Sequence, residues 1–136
     1  MRQMQVAFGF IKQSDKYLLQ LRNGDPRIGG AGLIGNFGGK INDGEEPSAT
    51  FCREVSEEVG LEPSPGDVRK LGMVKVISDH NLEPVEIIGH VFHWDLYDSK
   101  TPKIKEGKLV KMTLKEAMSN LDKMTTGTRA AFEELL

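Results

Sequence analysis

Apolar and polar side chains alternate at the start of the chain. Val6, Phe8 and Phe10 fall two apart and predict a strand over Met4 to Ile11 with one buried face. Ser14-Asp15 is a turn pair, and Tyr17 to Leu21 reads as the returning strand of a hairpin. The period then changes: Phe51, Cys52, Val55 and Val59 recur at helical spacing. The stretch after Glu46-Pro47-Ser48 is therefore predicted to be a helix, with Pro47 in its first turn and Gly60 at its close. After a Pro/Gly break, Val68 to Ile77 reads as a strand, Ser78 to Pro84 as a polar turn and Val85 to Leu96 as the longest strand, rich in branched and aromatic residues. Asp98 to Gly107 is a polar loop before a strand ending at Lys111. Thr113 and Glu116 form a capping box that opens a short helix. Arg129 to Leu136, begun around Thr126 to Thr128, is the last helix. From Asn23 to Gly35 there is no period, only glycines and a proline, and so long a loop predicts function. Strands and helices interleave irregularly without repeat or linker, which predicts one domain over 1–136 of mixed α/β or α+β class.

Composition narrows the function classes. A chain of 136 residues has the size of one ordinary domain. Its formal charge of −2 argues against a general nucleic-acid binder, which would carry a basic footprint. A lone cysteine, Cys52, forms neither an internal disulfide nor a cysteine-rich zinc site, and a reducing, cytoplasmic compartment is expected. The apolar run Val6 to Ile11 is too short for a membrane span or a signal-peptide core.

Two local biases locate the chemistry. Eight of the 15 glycines lie between Gly24 and Gly44, and half of the glutamates lie between Glu45 and Glu62. Gly30-Ala-Gly32-Leu-Ile-Gly35 matches the G-x-G-x-x-G dinucleotide pattern, but no helix follows it until about Ser48, so it reads as loop. The glutamates are more telling. At about 100° per residue, Glu54, Glu57 and Glu58 share an arc of about 100° on one flank of the helix, away from Val55. Like charges so placed repel. A divalent cation would relieve the repulsion, and oxygen-only donors favour Mg²⁺ or Mn²⁺. Arg53 stands one turn before Glu57, in position to orient it. On spacing alone a solvated acidic face fits equally well.

The longer pattern separates the two readings. Gly39, five residues, Glu45, seven residues, then Arg53-Glu54-Val55-Ser56-Glu57-Glu58-Val59-Gly60-Leu61 resembles the Nudix box at all of its specified positions, over residues 39–61. Chain length, box position and element order are also similar to those of the MutT-like group of Nudix hydrolases. The resemblance implies a mixed β-sheet sandwiched between helices, with the box forming a loop–helix–loop. It implies a hydrolase that cleaves a nucleoside diphosphate linked to another group, using Mg²⁺ or Mn²⁺ and water. It assigns metal binding to Glu54, Glu57 and Glu58 with the carbonyl of Gly39, and makes Arg53 their orienter, steadied by Glu45. Gly38 and Gly39 are expected to let the backbone approach metal and phosphate.

Outside the box the resemblance offers Arg22 as a phosphate-holding residue and Glu106 as a glutamate reaching the metals from the opposite side, serving as base or ligand. Lys40, directly after the glycines, is expected as a further phosphate contact, with a structural role as the alternative. His90 and His93, three apart on a strand, point to opposite faces and cannot share a metal. Phe92 and Trp94 read as core, and Cys52 as packing. The substrate signals depart from known subgroups. Val76 and Ile77 stand where many ADP-ribose pyrophosphatases carry proline, and Ser78, Asp79 and His80 where dinucleoside polyphosphate hydrolases carry tyrosine. Thr128 stands where oxidised-nucleotide hydrolases read the purine with Asn or Asp, and Lys111 where they place an aromatic. The expectation is a nucleoside triphosphate, ordinary or oxidised, cleaved to monophosphate and pyrophosphate by a monomer or homodimer. A nucleoside diphosphate sugar hydrolase and a non-catalytic nucleotide sensor are the alternatives, and the intact glutamate set speaks against the sensor.

Overall fold

Residues 1–24, 32–78 and 83–136 are those described in the computed structural model of the chain. The loop expected at Asn23 to Gly35, the G-x-G-x-x-G match and the turn at Ser78 to Pro84 lie partly outside the described residues.

β1 (Arg2–Gln13) and β2 (Lys16–Leu21) form the predicted hairpin, with Ile11 opposite Leu18 and Ser14 at a φ of 57° in the turn. The two strands pair only between Ile11 and Gln13 on β1, then separate. Two short strands fill the gap. β3 (Ile34–Gly35) pairs with Gln20 and Leu21 on β2, and β4 (Phe37–Lys40) pairs with Val6 to Gly9 on β1. Neither was visible as a strand in the sequence, because only Ile34 and Phe37 carry a buried apolar side chain there.

The opposite edge of β1 is covered along its whole length by β6 (Val85–Leu96), which runs parallel to it from Arg2↔Val85 to Gln13↔Leu96. β5 (Arg69–Ser78) pairs antiparallel with β6, and β7 (Lys108–Met112) closes the outer edge of β2. The result is one seven-stranded mixed sheet. A sheet of this kind must bury both faces, and it does so against helices.

α1 (Pro47–Val59) lies on one face. Its predicted stripe, joined by Thr50, is buried, and Phe51 stacks on Phe92 with ring centroids 5.8 Å apart. Gly60 ends it at a φ of 73°, where a side chain would be strained. Each fully buried Phe or Val of this stripe contributes roughly 1.5–3 kcal/mol relative to an exposed one. α3 (Thr126–Leu135) covers the other face, beside α2 (Leu114–Met118), whose Thr113–Glu116 capping box forms as predicted. Phe132 of α3 meets Phe10 edge-on at 4.7 Å. The strand period also places the histidines on opposite faces: His93 is buried against Tyr17, while His90 bonds Gln5 at 3.0 Å. Among the described residues no helix is long and apolar enough to cross a membrane.

Candidate active site

β4 runs directly under α1, and Gly39 is the glycine at that contact. A Cβ on Gly39 would sit 2.5 Å from the Glu54 carboxyl, so only glycine lets this carboxylate lie on the strand. Gly38 has a different reason from the one expected. A Cβ there would come within 2.3 Å of the Ala7 carbonyl oxygen and 2.4 Å of the Phe8 Cβ. Its small size is demanded by the pairing of β4 with β1, before any ligand is considered.

Arg53 is the hub of the helix side. Its Nε donates to Glu45 Oε2 at 2.9 Å and its Nη2 to Glu45 Oε1 at 3.0 Å, a two-point clamp. Nη1 donates to Glu54 Oε1 at 2.9 Å and reaches Glu57 at 3.4 Å. Glu54, rather than Glu57, is thus the carboxylate that Arg53 holds most closely. Glu45 is held in turn by Thr50, a fully buried hydroxyl that donates to Oε1 at 2.7 Å, and by the Asn42 amide at 3.2 Å. The Arg53 guanidinium, aided by Thr50, pulls the Glu45 carboxyl down to about 2, and the carboxylates raise Arg53 above its ordinary value. Thr50 was missed in the sequence, where a threonine on the helix stripe reads as packing.

Glu58 lies on the other side of Glu54. Burial, then the hydrogen bond and charge of the adjacent Glu54, push its carboxyl up to about 8. Two carboxyls crowded together with oxygen-only donors and a side-chain-free strand beneath them fit a hard dication. Glu57 is 55% exposed and turned toward Arg53. Among the described residues, no three acidic, histidine or cysteine side chains yet converge on one point.

The loop before β7 supplies the facing wall. Lys105 N–H donates to the Glu58 carbonyl at 3.0 Å, and the Gln20 side chain donates to the Glu106 carbonyl at 2.7 Å. Gly107, at a φ of 71°, brings the chain so near β2 that a Cβ would meet the Leu21 carbonyl oxygen at 2.3 Å. These ties place Glu106 on the rim of an acidic pocket of about 390 Å³ that also contains Glu57, Glu58 and Arg22.

A second cleft of about 390 Å³ adjoins it, between β1 and the first turn of α3. Val6, Phe8, Leu33 and Ile87 make it largely apolar, and Thr128 and Gly39 also line it. Arg22, Asn36 and Gly38 line both spaces. Thr128 is buried; its Oγ1 accepts the Asn36 N–H at 2.9 Å and the Thr125 hydroxyl at 3.0 Å. Lys40 is exposed and lines neither space, although its carbonyl accepts from Arg53 Nη2 at 3.3 Å. Asn36 was not anticipated; the only signal for it was its place beside the glycine pair. Cys52 is buried and its thiol is pushed up by that burial, as packing requires.

Comparison with known proteins agrees with this geometry. The family model of the NUDIX domain matches residues 2–135. The chain is similar to the MutT protein from Methanosarcina mazei Go1, at 24% identity and a TM-score of 0.81, with 98% of this chain and 93% of that one covered. It is similar to the MutT NUDIX hydrolase from Burkholderia pseudomallei, at 24% identity and 0.75, each chain covered to 100%. A bifunctional NMN adenylyltransferase/ADP ribose pyrophosphatase from Francisella tularensis, complexed with AMP and a Mn ion, aligns at 17% identity and 0.69, with 98% of this chain and 42% of that one covered. Comparison with curated proteins finds no match. With the glutamates set along α1 over the glycines of β4, and the family match running almost end to end, the chain belongs to the NUDIX family of pyrophosphohydrolases.

Proposed function

We propose that this chain hydrolyses a nucleoside triphosphate, ordinary or oxidised in its base, to the monophosphate and pyrophosphate. The observation that carries this reading is the adjacency of the two clefts, one apolar and one acidic, which share Arg22, Asn36 and Gly38. A nucleotide has the same two-part character. Its base would lie against Phe8 and Val6, and its phosphates would extend past Arg22 toward Glu57 and Glu58.

Glu54, Glu57, Glu58 and the Gly39 carbonyl would hold Mg²⁺ or Mn²⁺, in line with the Mn ion of the Francisella neighbour. Such an ion, when bound, screens the phosphate charge and makes water more acidic. The chain's own residues do the remaining work. Arg22 places a fixed cation beside the phosphates, where charge grows as the anhydride opens. Glu106, on the facing wall, can take a proton from the attacking water. Arg53, locked by Glu45, keeps the Glu54 carboxylate from swinging away. Lys40 is assigned to phosphate only as it enters from solvent. The enzyme is placed in the cytoplasm as a single domain, monomeric or homodimeric, without a nucleic-acid partner.

Formation of nucleoside monophosphate, with pyrophosphate or a sugar phosphate as the second product, from a panel of nucleoside triphosphates and nucleoside diphosphate sugars with Mg²⁺ tests the reading. Pyrophosphate release from triphosphates is the expected result. Turnover of nucleoside diphosphate sugars alone would overturn the substrate class, and binding without turnover would make the chain a sensor.

A further inference from the structure

Two buried polar atoms at the junction of the clefts have no hydrogen-bond partner among the described residues: Arg22 Nε and Asn36 Oδ1. Unpaired buried groups are rare in folded proteins and mark places where something else completes the bonding. The Asn36 amide is held in one orientation. Its Nδ2 donates to the Gly9 carbonyl at 3.0 Å, and a flipped amide would set two oxygens against each other. Its backbone N–H is tied to Thr128 Oγ1, so the residue is anchored at both ends. The end left free is therefore an acceptor, and the free atom of Arg22 is a donor.

A single ligand group that satisfies both must donate to one and accept from the other. A phosphate oxygen only accepts, and the amide oxygen would repel it. An amino group only donates. A hydroxyl does both. With a base in the apolar cleft and phosphates in the acidic pocket, the part of a nucleotide lying between them is its sugar.

We propose that Asn36, with Nε of Arg22, binds a sugar hydroxyl of the nucleotide and makes Asn36 a specificity-determining residue of this enzyme. This rests on the nucleotide reading above, which places the sugar at the junction. Thr128 then has a positioning role: by holding the Asn36 backbone it fixes the amide that reads the sugar.

The test uses GTP and its 2′-deoxy, 3′-deoxy and 2′,3′-dideoxy forms, with turnover followed by pyrophosphate release and binding by calorimetry. In the wild type, removal of the recognised hydroxyl should raise KM and Kd at least about tenfold, with kcat within about threefold. In Asn36→Leu, which keeps the branching at Cγ but removes both the acceptor and the Nδ2 bond to the Gly9 carbonyl, that discrimination should shrink below about threefold. If Asn36→Leu fails to fold, Asn36→Ser and the wild-type series still decide. A wild type that handles the dideoxy form within about twofold of GTP overturns the proposal, as does a folded variant that keeps full discrimination. Sugar-independent turnover would sink this inference while leaving the nucleotide reading intact; no binding and no turnover across the series would sink both.

Discussion

Glu45 shows how much one side chain outside the acidic cluster controls. It is clamped by Arg53, Thr50 and the Asn42 amide, and its carboxyl sits at about 2 against an ordinary 4.5. A carboxyl depressed in the folded chain lends stability that is fully present above about pH 4.5 and is lost as pH falls toward about 2. The melting temperature of the metal-free protein should therefore drop on acidification through that window, and Glu45→Gln should flatten the drop. Equal acid sensitivity in both proteins would place the acid loss elsewhere. Glu57 is the opposite kind of residue, 55% exposed and 3.4 Å from Arg53. A contact so exposed and long contributes little to stability. Glu57→Gln should melt near the wild-type temperature yet lower kcat at least about a hundredfold, as loss of a charge-stabilising group does. A destabilised variant with unchanged kcat would make the residue structural.

At the scale of elements, the loop before β7 decides where Glu106 stands. Gly107 and Gly60 both adopt left-handed backbone, at φ 71° and 73°, but their surroundings differ. A Cβ on Gly60 would have no neighbour nearer than 3.7 Å, whereas on Gly107 it would strike the Leu21 carbonyl. Gly60→Ala should cost about 1–2 kcal/mol for the backbone alone. Gly107→Ala should cost more and also lower kcat, because the loop must leave β2 and carry Glu106 with it. Chemical denaturation of both variants checks this, and equal losses would mean that the loop yields without effort. Glu106→Gln separates position from chemistry: kcat should fall with KM nearly constant, and a wild-type rate would return the residue to solvent.

For the whole molecule, Glu54 and Glu58 are crowded together only in the folded state, so an ion that joins them binds only that state. Added Mg²⁺ should raise the melting temperature, less so in Glu58→Gln, and a chelator should abolish turnover. Full activity in chelator would remove the metal from the mechanism. Substrate choice is also a property of the assembled clefts. The Thr128 hydroxyl already accepts two hydrogen bonds, so the last helix offers the base a weaker contact than an Asn or Asp would. Shape and stacking alone discriminate by roughly 10–200-fold. Preference for 8-oxo-dGTP over dGTP in kcat/KM should stay below about a hundredfold. Selectivity of several thousandfold, measured side by side, would show that another residue reads the base.

The sequence by itself determined the elements whose period is long and the face of α1 that bears the glutamates, because spacing along one helix or strand is a local property. It also determined the family, since the box is a pattern of neighbours. Only the tertiary structure decided the rest. β3 and β4 exist because β1 and β2 part and leave unpaired edges for them, which their own short apolar content does not announce. Gly38 is small because β1 passes against it. Asn36 is oriented by Gly9, 27 positions away, and by Thr128, 92 positions away. Glu106 lines the same pocket as Glu57 and Glu58 because Gln20 and Gly107 tie its loop to β2. Each of these depends on contacts between residues distant in the chain, and such contacts leave no period in the sequence.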